Sequence, residues 1–170
     1  RRAALPLREV VLVATMLDHP ALIGRHFDQF ARLELTNPAL AEFRAALLDI
    51  VMEDEDAVAE TVRARLGASR HAALLPRLDA QLAGAGLWTA AAAASDEDAE
   101  RGWLQALTLH HRQRTLHKEL KDAEAALASE TSEVNFARLV DIQKQLANVE
   151  GTEALIEGFG SSSGRRARSM

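Results

Sequence analysis

The sequence predicts an all-α protein: an N-terminal multi-helix bundle joined by a long helix to a C-terminal helical hairpin. The apolar residues are overwhelmingly helix formers, with 33 Ala and 25 Leu against 9 Val and 4 Ile, and no Tyr. Apolar positions recur at spacings of three and four along several segments, which is the period of a helix face. Helix start and stop residues separate those segments. At 170 residues and 48% hydrophobic composition the chain can build a packed core, so wholesale disorder is excluded.

Pro6 opens a short, very apolar helix over 7–17, whose Val10, Val11, Val13, Ala14 and Leu17 cover more than half its circumference. Such a helix belongs at the centre of a bundle. Asp18-His19-Pro20 breaks it, and Pro20 begins a second helix with Ala21, Leu22, Ile23, Phe27 and Phe30 facing inward. Asn37 and Pro38 form an N-cap and first-turn pair. The helix they start carries Leu40, Phe43, Ala46, Leu47, Ile50 and Val51 and ends near Met52. The acids Glu53 to Asp56 read as a solvated turn feeding the positive end of a helix over 57–66, capped by Gly67. Ser69 then caps a helix through Leu74, Leu75, Leu78 and Leu82, broken or kinked at Pro76 and ended by Gly84-Ala85-Gly86.

Ala90 to Ala94 is a low-complexity loop or a frayed lead-in. Ser95 followed by Asp96, Glu97 and Asp98 is the clearest helix start in the chain. From there to about residue 128 there is no Pro, which predicts a helix of about 33 residues, roughly 50 Å long, whose far end projects from a compact domain. Leu109, Leu116, Leu120, Ala123 and Leu127 form a narrow apolar stripe on it. After a turn at Glu130 to Glu133, a second amphipathic helix runs to about Glu150 with Phe136, Leu139, Ile142, Leu146 and Val149 inward. Two such helices joined by a few residues fold back as an αα-hairpin. Gly151 ends it. The expected organisation is a bundle over 1–105, a hairpin over 106–151 with the helix at about 95–128 shared, and a short turn and disordered tail over 152–170. Trp88 and Trp103, flanking the start of the long helix, are expected to seal the bundle.

The chemistry on offer is sparse. A net charge of −5 argues against a dedicated nucleic-acid binder, and the absence of Cys removes thiolate zinc sites, disulfides and cysteine nucleophiles together. His110 and His117 share a helix face with Arg114 between them, which repels a cation, so no metal site is expected. There is no nucleophile elbow, no phosphate-cradling loop and no carboxylate pair set in an apolar pocket, so no catalytic residue and no cofactor is expected. Arg101, Arg112, Arg114, Lys118 and Lys121, with His110, His111 and His117, give a modest basic face broken by Glu119, Asp122 and Glu124. It is either solvated or a contact for an acidic partner, and as the alternative function it is a nucleic-acid-binding face over 101–121. No apolar run approaches the length of a membrane span. The opening Arg1-Arg2-Ala3-Ala4-Leu5-Pro6, without an initiator Met, predicts a segment of a longer protein.

Beyond this, the run Arg8-Glu9-Val10-Val11-Leu12-Val13-Ala14-Thr15-Met16-Leu17-Asp18-His19-Pro20 resembles the first helix of the C-terminal, helicase-binding domain of bacterial primase of the DnaG type. So do Arg101-Gly102-Trp103, Leu109-His110-His111 and Arg114-Thr115-Leu116-His117-Lys118-Glu119-Leu120. Asn135-Phe136-Ala137-Arg138-Leu139 and the run Glu150 to Gly160 are similar to the endings of alphaproteobacterial members. The resemblance covers about residues 7–160. It implies a non-catalytic, cytoplasmic module that is similar in fold to the N-terminal domain of the replicative helicase and recruits primase to that helicase at the replication fork. It places the helicase contact at Ile142, Lys144, Gln145 and Asn148, and an acidic-tail contact with single-stranded-DNA-binding protein at Arg1, Arg2 and Arg8.

Overall fold

In the computed structural model the described residues are 4–162, with side chains described for 4–87 and 89–151. They form eight α-helices and two 3₁₀ turns, with no strand among them. The chain divides into two compact units, 1–106 and 107–170, and the long helix runs from the first into the second.

The first unit is organised around α1 (Leu7–Asp18), which is buried on nearly every side: Val10, Leu12, Val13, Met16 and Leu17 are wholly inaccessible. Its neighbours are α2 (Ala21–Arg25), α4 (Pro38–Glu53), α5 (Ala59–Gly67), α6 (Leu75–Ala85) and the 3₁₀ turn Trp88–Ala90. Leu22, Ile23, Phe30, Leu40, Phe43, Leu47, Val62, Leu66 and Leu78 complete the core. The cap at Asn37 forms as its sequence demands, with Oδ1 accepting from the backbone N–H of Ala39 (3.0 Å) and Leu40 (3.2 Å). Acids 53–56 are exposed around the α4–α5 turn.

The second helix of the sequence reading is instead two, α2 and α3 (Phe27–Ala31), separated at His26. That break turns Ala21 and Phe27 outward, Phe27 being 36% exposed, while Leu22, Ile23 and Phe30 stay inside. The carbonyls left open after α3 are met from α4, where the Arg44 guanidinium donates to Leu33 and Phe30 oxygens. Gly67 is the last residue of α5 rather than its cap. Ser69 closes a tight turn, donating to the Leu66 carbonyl and accepting from His71 N–H, so that a 3₁₀ turn (Ala72–Leu74) precedes α6. Pro76 then falls in the first turn of α6, where its missing N–H costs nothing and no kink results. At the other end Gly86, at φ 67°, takes the left-handed conformation and lets the Leu87 N–H reach back to the Leu82 carbonyl.

α7 (Asp96–Ser129) begins where the sequence places it: Ser95 Oγ accepts from the Asp98 N–H at 3.1 Å. Trp103 is fully buried and its Nε1 donates to the Leu12 carbonyl at 2.9 Å, tying α7 to the middle of α1. The expectation for Trp88 falls outside the described side chains. Immediately before Trp103, Gly102 faces Thr89: a Cβ there would lie 2.8 Å from Thr89 Oγ1 and 3.1 Å from its Cβ.

The second unit is the hairpin of α7 with α8 (Glu133–Ser162). Here the structure departs from the sequence reading at Gly151, which does not end the helix. α8 passes through it to Ser162, because one exposed glycine costs a helix only about 1 kcal/mol and Thr152 to Glu157 continue with helix-compatible residues. The tail expected from 152 therefore begins as helix, and residues from 163 lie outside the described residues.

The two glycines predict opposite responses. Gly102→Ala gains helix propensity but drives a methyl into Thr89, with overpacking worth about 1–3 kcal/mol, so thermal unfolding should move down. Gly151→Ala meets nothing within 4 Å and should raise helicity and stability by up to about 1 kcal/mol. Circular-dichroism melts of both variants check the pair; equal shifts would show that the Thr89 contact does not form.

Candidate interaction surfaces

The hairpin has its own small core. Leu116 and Ala123 of α7 pack with Ile142, Leu146 and Val149 of α8, and Leu109, Leu120 and Leu139 border them. The turn at residues 130–132 is fixed by side chains as much as by backbone. Ser132 Oγ accepts from the Asn135 N–H at 3.2 Å, and Asn135 Nδ2 donates to the Glu130 (2.8 Å) and Ala126 (3.3 Å) carbonyls. The terminal carbonyls of α7 and the first N–H groups of α8 are thus served by two neutral residues.

Of the four residues the resemblance assigns to a helicase contact, Ile142 points into this core and is 4% exposed. Lys144 and Asn148 are exposed one turn apart, on one face with Val134, Ala137 and Asp141. Gln145 is half-buried and donates from Nε2 to Asp141 Oδ2 at 2.9 Å. The sequence reading placed Phe136 inside, yet it is 59% exposed and Val134 77%. The seam of Leu139, Ile142, Leu146 and Val149 extends back to position 135, so half-buried Asn135 takes the inward place and Phe136 falls to its side. With half-buried Val140 and exposed Ala147, Phe136 makes an uncovered apolar flank along α8.

The assigned acidic-tail residues fare differently. Arg8 is 8% exposed, held within the bundle, while Arg1 and Arg2 lie outside the described residues. On the basic stretch 101–121, Arg101 is engaged by acids of its own helix, Glu97 at 3.2 Å and Asp98 at 3.7 Å. His110, read as solvated, is buried at 4% exposure, whereas His111, Arg112, His117, Lys118 and Lys121 are exposed.

Sequence reasoning missed the polar groups that fix the bundle's corners. Glu9, 3% exposed, accepts from the Thr36 N–H and hydroxyl and from the Asn37 N–H. His19, 4% exposed, places Nδ1 2.8 Å from Asp96 Oδ1 and Nε2 3.0 Å from the Ala91 carbonyl oxygen. One turn further along α7, Glu100 accepts from His26 Nε2 at 2.7 Å and from Arg25 at 3.0 Å. Arg63 of α5 bridges Asp18 and Asp79 with paired hydrogen bonds to each. Nothing in a one-dimensional pattern marks these partners, which lie from 16 to 77 residues apart.

Among the described residues no group of three or more His, Asp or Glu side chains is gathered closely enough to hold a metal ion, and no helix is long and apolar enough to cross a membrane. Comparison with protein-family models, curated proteins and solved structures finds no match to the chain.

The Glu100 cluster has a testable pH signature. The hydrogen bond from His26, reinforced by the charges of Arg25 and His26 and opposed by partial burial, holds the Glu100 carboxyl below its ordinary value of 4.5. A carboxyl lowered on folding stabilises the protein at pH above its unfolded value, and that contribution is lost as pH falls through the native value. Glu100→Gln should therefore be less stable than wild type at pH 5, with the gap closing toward pH 3. Urea unfolding across that range checks it, and a gap of constant size would remove Glu100 from the acid limb.

Proposed function

We propose that this chain is the non-catalytic helicase-recruiting domain of a bacterial primase, holding primase to the replicative helicase through the hairpin. The observation that carries the reading is the order and spacing of the resembling motifs over residues 7–160, from Arg8–Pro20 through Arg101-Gly102-Trp103 to Asn135–Leu139. Physical support comes from the uncovered flank of α8. An isolated two-helix arm buries little of its own apolar surface, so a partner helix laid against Phe136 and Val140 extends its seam. Lys144 and Asn148, exposed on the adjoining face, supply polar rim contacts. In this reading the contact is made beside Ile142 rather than by it, since that side chain serves the hairpin core. The acidic-tail role is not carried forward, because Arg8 is buried.

The test is size-exclusion chromatography with light scattering, mixing the chain with the replicative helicase of the same source at about 50 μM each, enough to retain micromolar complexes. A co-eluting complex is expected. Phe136→Ser should weaken it about tenfold or more, and Lys144→Ala with Gln145→Ala should weaken it further, without loss of helicity. Absence of a complex, or full binding by the triple variant, would overturn the assignment.

A further inference from the structure

A pocket of about 340 Å³ opens where the end of α1, α5, α6 and the segment after α6 meet. Leu82, Ala83, Leu87, Ala91 and Ala92 give it apolar walls, and Asp18, Arg63 and Asp79 form its charged end. That end is unusual in its charge arithmetic: two carboxylates share one guanidinium, leaving one negative charge uncompensated among the lining residues. The Asp18 side chain is 4% exposed, so its charge is felt through apolar surroundings, whereas the Asp79 side chain is half exposed and reachable.

Arg63 cannot serve as an anion receptor in this arrangement. One edge of its fork (Nε and Nη2) is bonded to Asp18 at 2.7 and 3.0 Å, and the other (Nη1 and Nη2) to Asp79 at 3.0 and 2.8 Å. The hydrogen bonds it donates to Asp79 and Asp18 hold its proton more tightly than in a free guanidinium. Each Asp79 oxygen has spent one lone pair on Arg63 and, on a half-exposed side chain, keeps another. Single, unfilled acceptor positions suit a compact ammonium with rotatable donors better than a second planar fork. The wall opposite is built rather than loose: Gly86 makes the left-handed turn, and His19 Nε2 holds the Ala91 carbonyl at 3.0 Å.

We propose that this pocket is a docking site for a lysine side chain of a partner protein, its alkyl stem lying on Leu82, Leu87 and Ala91 and its ammonium meeting Asp79, with the buried charge of Asp18 behind it. The volume also admits an apolar side chain next to the lysine, so the matching motif is a lysine flanked by an aliphatic residue. The site lies within the first unit and is independent of the hairpin reading.

Three blocked dipeptides test it against the full 170-residue chain by heteronuclear NMR: acetyl-Leu-Lys-amide, acetyl-Leu-Glu-amide and acetyl-Leu-norleucine-amide, each to about 10 mM, where even millimolar affinities register. The lysine peptide should shift the amides of Asp79, Leu82 and Gly86 to Ala92, and the other two should not. Asp79→Asn should weaken that binding about three- to tenfold with the melting temperature checked in parallel, as one partly exposed charge is lost. Ala92→Leu, which narrows the pocket without touching charge, should weaken it too. Equal binding of all three peptides, or none by the lysine peptide, overturns the proposal. So does n-pentylamine binding as tightly as the lysine peptide, which would make a free amine and not a protein the occupant.

Discussion

A helix buried on all sides has to find a partner for every polar atom it carries inward, and α1 is such a helix. Unsatisfied, each of those groups costs about 1–3 kcal/mol, and more if charged. The chain meets most of that demand by bonding the polar groups of α1 and of the residue after it to caps and side chains of other elements. Glu9 takes the N–H groups of Thr36 and Asn37, at the cap of α4. Asp18 takes Arg63 of α5. His19, just past the helix, takes Asp96 at the first residue of α7, and the Leu12 carbonyl takes the Trp103 indole about two turns further along it. Apolar packing alone lets helices slide by a turn at little cost; these bonds do not. They fix the register of three helices against one.

The same logic gives α7 two roles. Its first turns belong to the bundle, pinned by His19 to Asp96, by His26 and Arg25 to Glu100, and by Trp103 to Leu12. From residue 107 onward it is half of the hairpin, whose core is a single row of leucines, alanine, isoleucine and valine. A continuous helix with no proline between the two parts ties both units to one backbone. Gly102 is the place where sequence and packing conflict, and packing prevails: a residue poor for helix is kept where Thr89 leaves no room for a methyl.

What was legible in the sequence follows from the range of the interactions concerned. The Asn37-Pro38 and Ser95 caps, the central place of the first helix and the Leu116–Ala123 stripe rest on contacts within a few residues, or on a periodicity that any partner satisfies. The break at His26 leaves only a weak mark in the sequence, Gly24 two residues before it, and its place follows from the packing of Leu22, Ile23 and Phe30 around the corner. Gly151 misled for the converse reason: glycine punctuates only when the next residues leave the helix, and these do not. At the candidate surfaces the exposure of Lys144 and Asn148 followed from helical phase, but the outward turn of Phe136 depended on where the thin hairpin core stops. The Asp18–Arg63–Asp79 bridge joins three separate helices and leaves no local trace.

The distribution of charge bears on how such a chain recognises anything. In the first unit Arg25, Arg63, Arg65, Arg70 and Arg101 are each matched to an acid: Glu100, Asp18 with Asp79, Glu53, Glu42 and Glu97. Surface pairs of this kind add little stability, but they cancel the long-range field that draws a protein to a polyanion. The net charge of −5 likewise sets the overall field against a polyanion. Recognition by short-range complementarity remains open to it. Its places are the apolar flank of α8, which lacks a cover, and the charged end of the α1–α5–α6 pocket, where the pairing of acids and bases stops one base short.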